Sequence, residues 1–301
     1  MNEIQGWINL YKPKNISSFK AINIIKKKFL FTKVGHGGTL DPLAEGVLPI
    51  AIGKATKLIP FVNNDLKKYN FTISWGSQTS TDDLEGYIIN QSKILPKLKE
   101  IEQCAKKFIG THLQVPPKAS AVKVNGERAY KLIRRKKEFN ILPKEVFVKK
   151  ITILKHDIYK TSFRIESGKG FYVRSFARDI AIQLGTFGHI SSLERVKVGK
   201  FTKESSILLD DLLKIGERLV DFNCFKSTIS MLDDILAYEI FDQKDLTNLT
   251  FGRSIKINEE YFIKNPSNNL DKKFFFLSHK GNIVSIGKLV GNLFKPKKIL
   301  I

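Results

Sequence analysis

Residues 35–46, GHGGTLDPLAEG, set an Asp-Pro pair just after three glycines, a histidine and a small hydroxyl residue. Gly35, Gly37 and Gly38 permit φ > 0 and close approach by another molecule. Pro42 disfavours the helical region for Asp41, which leaves its carboxylate on a rigid, extended turn. A carboxylate held there can serve as nucleophile or general base. It can equally be an Asx-type turn residue bonding its own backbone. His36 offers a base, a metal ligand, a stacking group or a purely structural ring. No second His or Cys stands nearby at ligand spacing, so no metal is expected. Tyr69, after Lys67 and Lys68, is either a platform for a nucleobase with the lysines on phosphates, or one more core aromatic. Arg174, in KGFYVRSFARD, opens a helix with Arg178 at i+4 on the same face. Buried, Arg174 would pair with Asp41 and keep it ionised; the alternative is a helix-terminal ion pair with Asp179 or another acid.

The elements that must position these groups follow from periodicity. GWINLYKP alternates and ends at Pro13, so it reads as a strand. Ser17 or Ser18 caps a helix to about Leu30, with Phe19, Ile22, Ile25 and Phe29 on its apolar side. After the glycine loop come a buried strand, VLPIAIG, and a helical turn from Ala55. KKYNFTISWG alternates, with Tyr69, Phe71, Ile73 and Trp75 on one face. SQTSTDDLEG reads as a polar loop. A helix after Pro96 carries Leu98, Ile101, Ala105 and Phe108. QVPPKASAVKVNGERAYKLIRRKKEF, with two prolines and a VNG hairpin signal, reads as a basic projecting arm over about residues 113–145. Strands near 145–158 and 161–167 lead to the arginine helix. The expected architecture is α+β, a largely antiparallel mixed sheet flanked by helices over residues 1–230. Residues 216–230 read as a connection, and 231–301 as a small β-rich domain.

The 301 residues carry a net charge of +22 and a 42% apolar fraction, enough for a packed core and biased toward a polyanion. A Lys-rich composition alone gives a similar total, yet nine of the 51 basic residues are Arg, and Arg174, Arg178 and Arg195 fall in one short region. IKKKF, IRRKKEF and EVFVKK mix cations with apolar residues, the pattern of a phosphate-tracking surface or of solvated faces. Two distant cysteines exclude a disulfide framework and a thiolate zinc site. No Walker loop, dinucleotide glycine motif or H-E-x-x-H occurs, so no cofactor is expected. With no signal-peptide pattern and no apolar run near the roughly 18 residues a bilayer needs, a soluble cytoplasmic protein is expected.

Five ordered stretches resemble the tRNA pseudouridine synthase B (TruB) family: GWINLYKP, GHGGTLDPLAEGVLPIAIGKATK, KKYNFTISWGSQTSTDDLEG, QVPPKASAVKVNGERAYKLIR and GKGFYVRSFARDI. The resemblance runs from about Gly6 to Phe201, and the end of the chain is loosely similar to the small β-barrel called PUA. It implies a pseudouridine-synthase fold that isomerises uridine to pseudouridine in the T loop of tRNA, with Asp41 as the essential aspartate. Tyr69 would lie against the target base, Arg174 would pair with Asp41, and His36 would fill the stack vacated by the uridine. Tyr172, Leu193, Lys12 and Asp83 match substrate-binding positions, and the arm matches an RNA-gripping thumb. The implied glycine role is to let RNA backbone approach. The implied partner is the T-arm stem-loop, with neither a membrane nor a protein partner, and the chain is expected to act as a monomer. Two positions depart from the family pattern: Tyr11 replaces the usual Asp of its LDKP, and Glu194 replaces a basic residue before Arg195. A non-catalytic RNA chaperone and a synthase for another RNA are the alternatives.

Overall fold

The computed structural model describes residues 4–62, 66–216, 219–228, 236–257, 262–264, 274–280 and 282–300. An 11-stranded sheet forms the body of the protein. Its main path runs Ile207–Leu208, Gly6–Lys12, Glu45–Ile52, Gly188–Val198, Lys67–Trp75, Lys160–Ser167, Lys144–His156 and Gly110–Gln114. Pairing along this path is antiparallel except at two junctions, Gly6–Lys12 with Ile207–Leu208 and Glu45–Ile52 with Gly188–Val198. The second junction matters for function. Only Glu194 and Arg195 pair there, with Glu45 and Gly46, so the two halves of the sheet meet over two residues and diverge on either side.

Each half is closed by helices on its apolar face. Lys67–Trp75 buries every second residue, and Tyr69, Phe71, Ile73 and Trp75 meet Phe176 and Ile180 of helix Val173–Gln183 and Ile101 of helix Leu98–Lys106. Helix Ser18–Lys28 covers the other half with Ala21, Ile22 and Ile25. Its Ser17 side chain accepts from the Lys20 amide, and Lys26–Lys28 sit favourably at its negative end. Two residues assigned to apolar faces point outward instead: Phe19 and Leu98 are exposed. Ala21 and Cys104 take the inward positions, because the helix meets its sheet on a narrower stripe than the apolar residues alone suggest.

The polar loop at 77–86 is partly strand, Ser77–Thr79 pairing with Ile88–Gln91. The arm leaves the sheet at Gln114 and returns at Lys144, which are register partners. It holds the hairpin Lys123–Val124 with Glu127–Arg128 and then helix Ala129–Arg134. The presumed connection at 216–230 is more than a tether. Phe225–Lys226 pairs with the opening strand, and Cys224 is buried beside it.

A six-stranded sheet follows, from Leu236 onward, with helix Gln243–Thr250 packed on it. The expected boundary at 230/231 lies outside the described residues. This sheet is not separate from the first: Phe276, Ile283, Ile286 and Leu300 share one apolar cluster with Trp7, Val47, Val198 and Phe201. Among the described residues, no helix is long and apolar enough to cross a membrane.

Candidate active site

Strand Val34–His36 pairs antiparallel with Glu45–Ile52, so residues 37–44 form a tight excursion from one strand edge. That excursion is pinned at successive carbonyls. Arg195, fully buried, donates to Gly38 and Val47 at 2.9 Å and to Thr39 at 3.4 Å. The Ser18 hydroxyl donates to the Leu40 carbonyl and accepts from the Leu40 amide, both at 2.9 Å. Asn15 donates from its backbone to Pro42 at 2.8 Å. The Lys12 ammonium, buried, donates to Pro13 and Ile16 at 2.8 Å and to Pro42 at 3.4 Å. Burial pulls its pKa down to about 8. With carbonyls held on both sides of Asp41, the turn is fixed before any substrate arrives.

Gly38 and Gly46 serve this chain's own packing. Of the three in the loop, only Gly38 takes a positive φ, 99°, which turns its carbonyl to Arg195. Gly46, at φ 114°, lies where a Cβ would fall 2.2 Å from the Arg195 carbonyl oxygen. Only glycine lets the two half-sheets touch at that point. This packing role stands beside the expected one of letting RNA backbone approach.

Asp41 meets Arg174 across the divergence, Nε to Oδ2 at 2.9 Å. Arg174 is 5% exposed and every face of its guanidinium is used. It lies 3.5 Å from Asp83 Oδ2 and donates to the carbonyls of Thr81 at 3.0 Å and Ala119 at 3.1 Å. Asp179, the other candidate partner, pairs with Arg178 at 2.8 Å instead. Asp41, Tyr69, Tyr172, Arg174 and Leu193 line one cavity of about 260 Å³. Tyr69 is buried beside Arg195, its cross-strand register partner, and shares a hydrogen bond with that guanidinium. Burial raises the Tyr69 phenol pKa, against the Arg195 charge that lowers it. Burial and then Asp41 raise that of Tyr172.

Three sequence-predicted residues stand outside the cavity wall. Lys12 holds the loop from below, as described. Asp83 accepts from the Thr81 hydroxyl at 2.5 Å and the Glu85 amide at 3.0 Å, lies 3.5 Å from the same Arg174 Nε that meets Asp41, and lines a neighbouring cavity with Asp41 and Arg174. His36 is half-buried at the base of the loop, its Nδ1 buried without a partner. Burial, then the Arg195 charge, lowers its pKa, which favours the neutral ring. Among the described residues, no group of three or more His, Cys, Asp or Glu is arranged to hold a metal ion.

Sequence reasoning missed Arg195 and Ser18 as the pins of the Asp41 loop. Arginine in a lysine-rich chain marked Arg195; nothing marked Ser18 beyond helix capping. The two departures from the family pattern touch each other. Tyr11 donates to Glu194 at 2.8 Å, and Lys203 closes on the same oxygen at 2.6 Å. Burial opposes ionisation of Glu194, but the bonds from Lys203 and Tyr11 outweigh it and hold the carboxyl below its ordinary range. Glu194 is therefore an internal tie, joining Tyr11 and Lys203.

The family described as "TruB family pseudouridylate synthase (N terminal domain)" matches residues 26–173. The tRNA pseudouridine synthase B of Anaplasma marginale (strain St. Maries) is 48% identical over 302 residues, covering 98% of this chain and 96% of that one. The tRNA pseudouridine synthase B of Ehrlichia chaffeensis (strain ATCC CRL-10679 / Arkansas) is 40% identical over 298 residues, covering 98% of each. Among solved structures, a chain of a Cbf5-Nop10-Gar1 complex superposes with a TM-score of 0.74 at 23% identity, over 98% of this chain and 85% of its own. That likeness bears on the fold alone.

Proposed function

We propose that this chain, which belongs to the TruB family of pseudouridylate synthases, isomerises a uridine of tRNA to pseudouridine, at position 55 of the T loop. The observation that carries the reading is the Asp41 carboxylate held 2.9 Å from a buried arginine at the edge of a tyrosine-lined cavity. Binding RNA does not call for a carboxylate there, since it would repel phosphate. Breaking and remaking a glycosidic bond does.

The reaction changes connectivity and adds no atoms. The bond from ribose C1′ to uracil N1 breaks, the ring turns, C1′ bonds to C5, and the C5 proton passes to N1. Asp41 starts this as the ionised group, by adding to the ring, attacking the ribose or taking a ribose proton; all three use the same carboxylate. Arg174 orients it with a charge-assisted bond. Tyr69 and Tyr172 sandwich or border the base, Leu193 fills the apolar side, and His36 takes the vacated place in the RNA stack. Lys12 and Asp83 act one step removed, on the loop and on Arg174. The arm over about 113–145 grips the stem-loop.

The target nucleotide must leave its stack, at a cost of about a few kcal/mol. Contacts to the arm and to a surface carrying +22 net charge offset it. The partner is the T-arm stem-loop, and the chain acts on it as a cytoplasmic monomer, with no membrane and no second protein. The 231–301 unit adds phosphate contacts through Lys295, Lys297 and Lys298. The deciding experiment incubates the protein with an isolated T-arm transcript and maps pseudouridine. Product at the T-loop uridine supports the reading; no product there overturns it.

A further inference from the structure

The root of the arm is part of the cavity wall. Ser120 and Ala121 line the same space as Asp41, although both lie in the segment that leads out to the arm's tip. That segment is bolted to the first turns of helix Val173–Gln183. The Gln114 side chain accepts from the Tyr172 amide at 2.9 Å and donates to the Tyr172 carbonyl at 3.2 Å. Ser175 and Arg178 both donate to the Val115 carbonyl, at 2.7 and 2.8 Å. Arg174, while pairing with Asp41, donates to Ala119.

Within this well-bonded segment one group is left over. Ser120 is 5% exposed; its amide donates to Lys118 and its carbonyl accepts from Tyr130. Its Oγ, shielded from solvent, has no hydrogen-bond partner. A buried hydroxyl without a partner lowers stability, and the large majority of buried polar atoms are paired. Ser167 Oγ is also unpaired, but Ser167 does not line the cavity. Ser120 does line it, and a rotation about its single side-chain torsion is what would bring the unpaired hydroxyl to an entering nucleotide.

We propose that the Ser120 hydroxyl is a hydrogen-bonding contact for the target nucleotide, supplied to the cavity by the arm and satisfied when that nucleotide enters. The assignment rests on the isomerase reading above. A hydroxyl both donates and accepts, so it can meet a carbonyl or N–H edge of the uracil or the ribose 2′-hydroxyl. The arm thus contributes to the chemistry's first contacts as well as to the grip on the stem.

The test compares wild type with Ser120→Ala on a T-arm stem-loop RNA, measuring kcat/KM for pseudouridine formation beside the thermal midpoint of the free protein. The expected result is a loss of about tenfold in kcat/KM, with the midpoint unchanged or raised because an unpaired hydroxyl has been removed. Repeating the pair with 2′-deoxyuridine at the target position identifies the partner. A loss that persists assigns the contact to the base edge, and a loss that disappears assigns it to the ribose hydroxyl. Unchanged kcat/KM on the uridine RNA overturns the proposal, as does a loss accompanied by a midpoint several degrees lower. A wild-type protein that makes no pseudouridine fails the isomerase reading itself, a result distinct from either of these.

Discussion

Asp41 owes its usefulness to neighbours distant in sequence. Arg174 fixes its carboxylate, while Arg195, Ser18 and Lys12 fix the turn that carries it. Asp41→Asn keeps the shape and removes the ionisable charge. It should cost about a thousandfold or more in turnover while RNA affinity survives; gel-shift and single-turnover assays check the two halves separately. Arg174→Lys should also be costly, because a point charge cannot serve Asp41, Thr81 and Ala119 at once. Lys12 gives a pH signature. With its folded pKa near 8 and its unfolded one at the ordinary lysine value, the unfolded chain binds the extra proton between those limits. Stability from this group therefore rises with pH across that window, being lowest below about 8 where the buried ammonium is charged. Melting wild type and Lys12→Met from neutral pH to about 10 checks it: the difference between them should shift in favour of wild type as pH rises.

At the scale of elements, the site depends on two half-sheets touching over two residues. Gly46→Ala forces a Cβ against the Arg195 backbone at a φ that alanine rarely adopts, and should destabilise by about 3 kcal/mol or more. Chemical denaturation measures it, and loss of activity should track loss of stability. Much here was legible beforehand. Strand Lys67–Trp75 announces itself by strict alternation, and the Ser17 cap and Lys26–Lys28 mark both ends of their helix. Asp41, Tyr69 and Arg174 stand out by type, and the structure gathers them at one cavity. What stayed hidden is what long-range pairing decides. Phe225 pairs with a strand more than 200 positions earlier, and no local pattern reports that. Phe19 fits an apolar face by spacing but not by the angle at which its helix meets the sheet. The pins Ser18 and Arg195 act through carbonyls of a remote loop, a partnership invisible in either local sequence.

At the scale of the whole molecule, the proposed function makes the net charge of +22 the source of a sequence-independent attraction to RNA and the cavity the source of selection. Neutralising Arg134, Arg135, Lys136 and Lys137 should make the salt dependence of binding shallower by about two to three in the log–log slope. The reduction falls short of four contacts because Arg135 is already paired with Glu127. T-arm and unrelated stem-loops should weaken about equally, since phosphate contacts carry no sequence information; a salt titration of both RNAs with both proteins reads this out. The seam between the two sheets has another kind of consequence. Trp7 and Phe201 lie in the same apolar cluster as Phe276, Ile286 and Leu300, so neither sheet completes its interior alone. Heat should then melt them as one cooperative unit, with calorimetric and van't Hoff enthalpies in agreement, and a chain cut between them should yield two sticky fragments in place of two working parts.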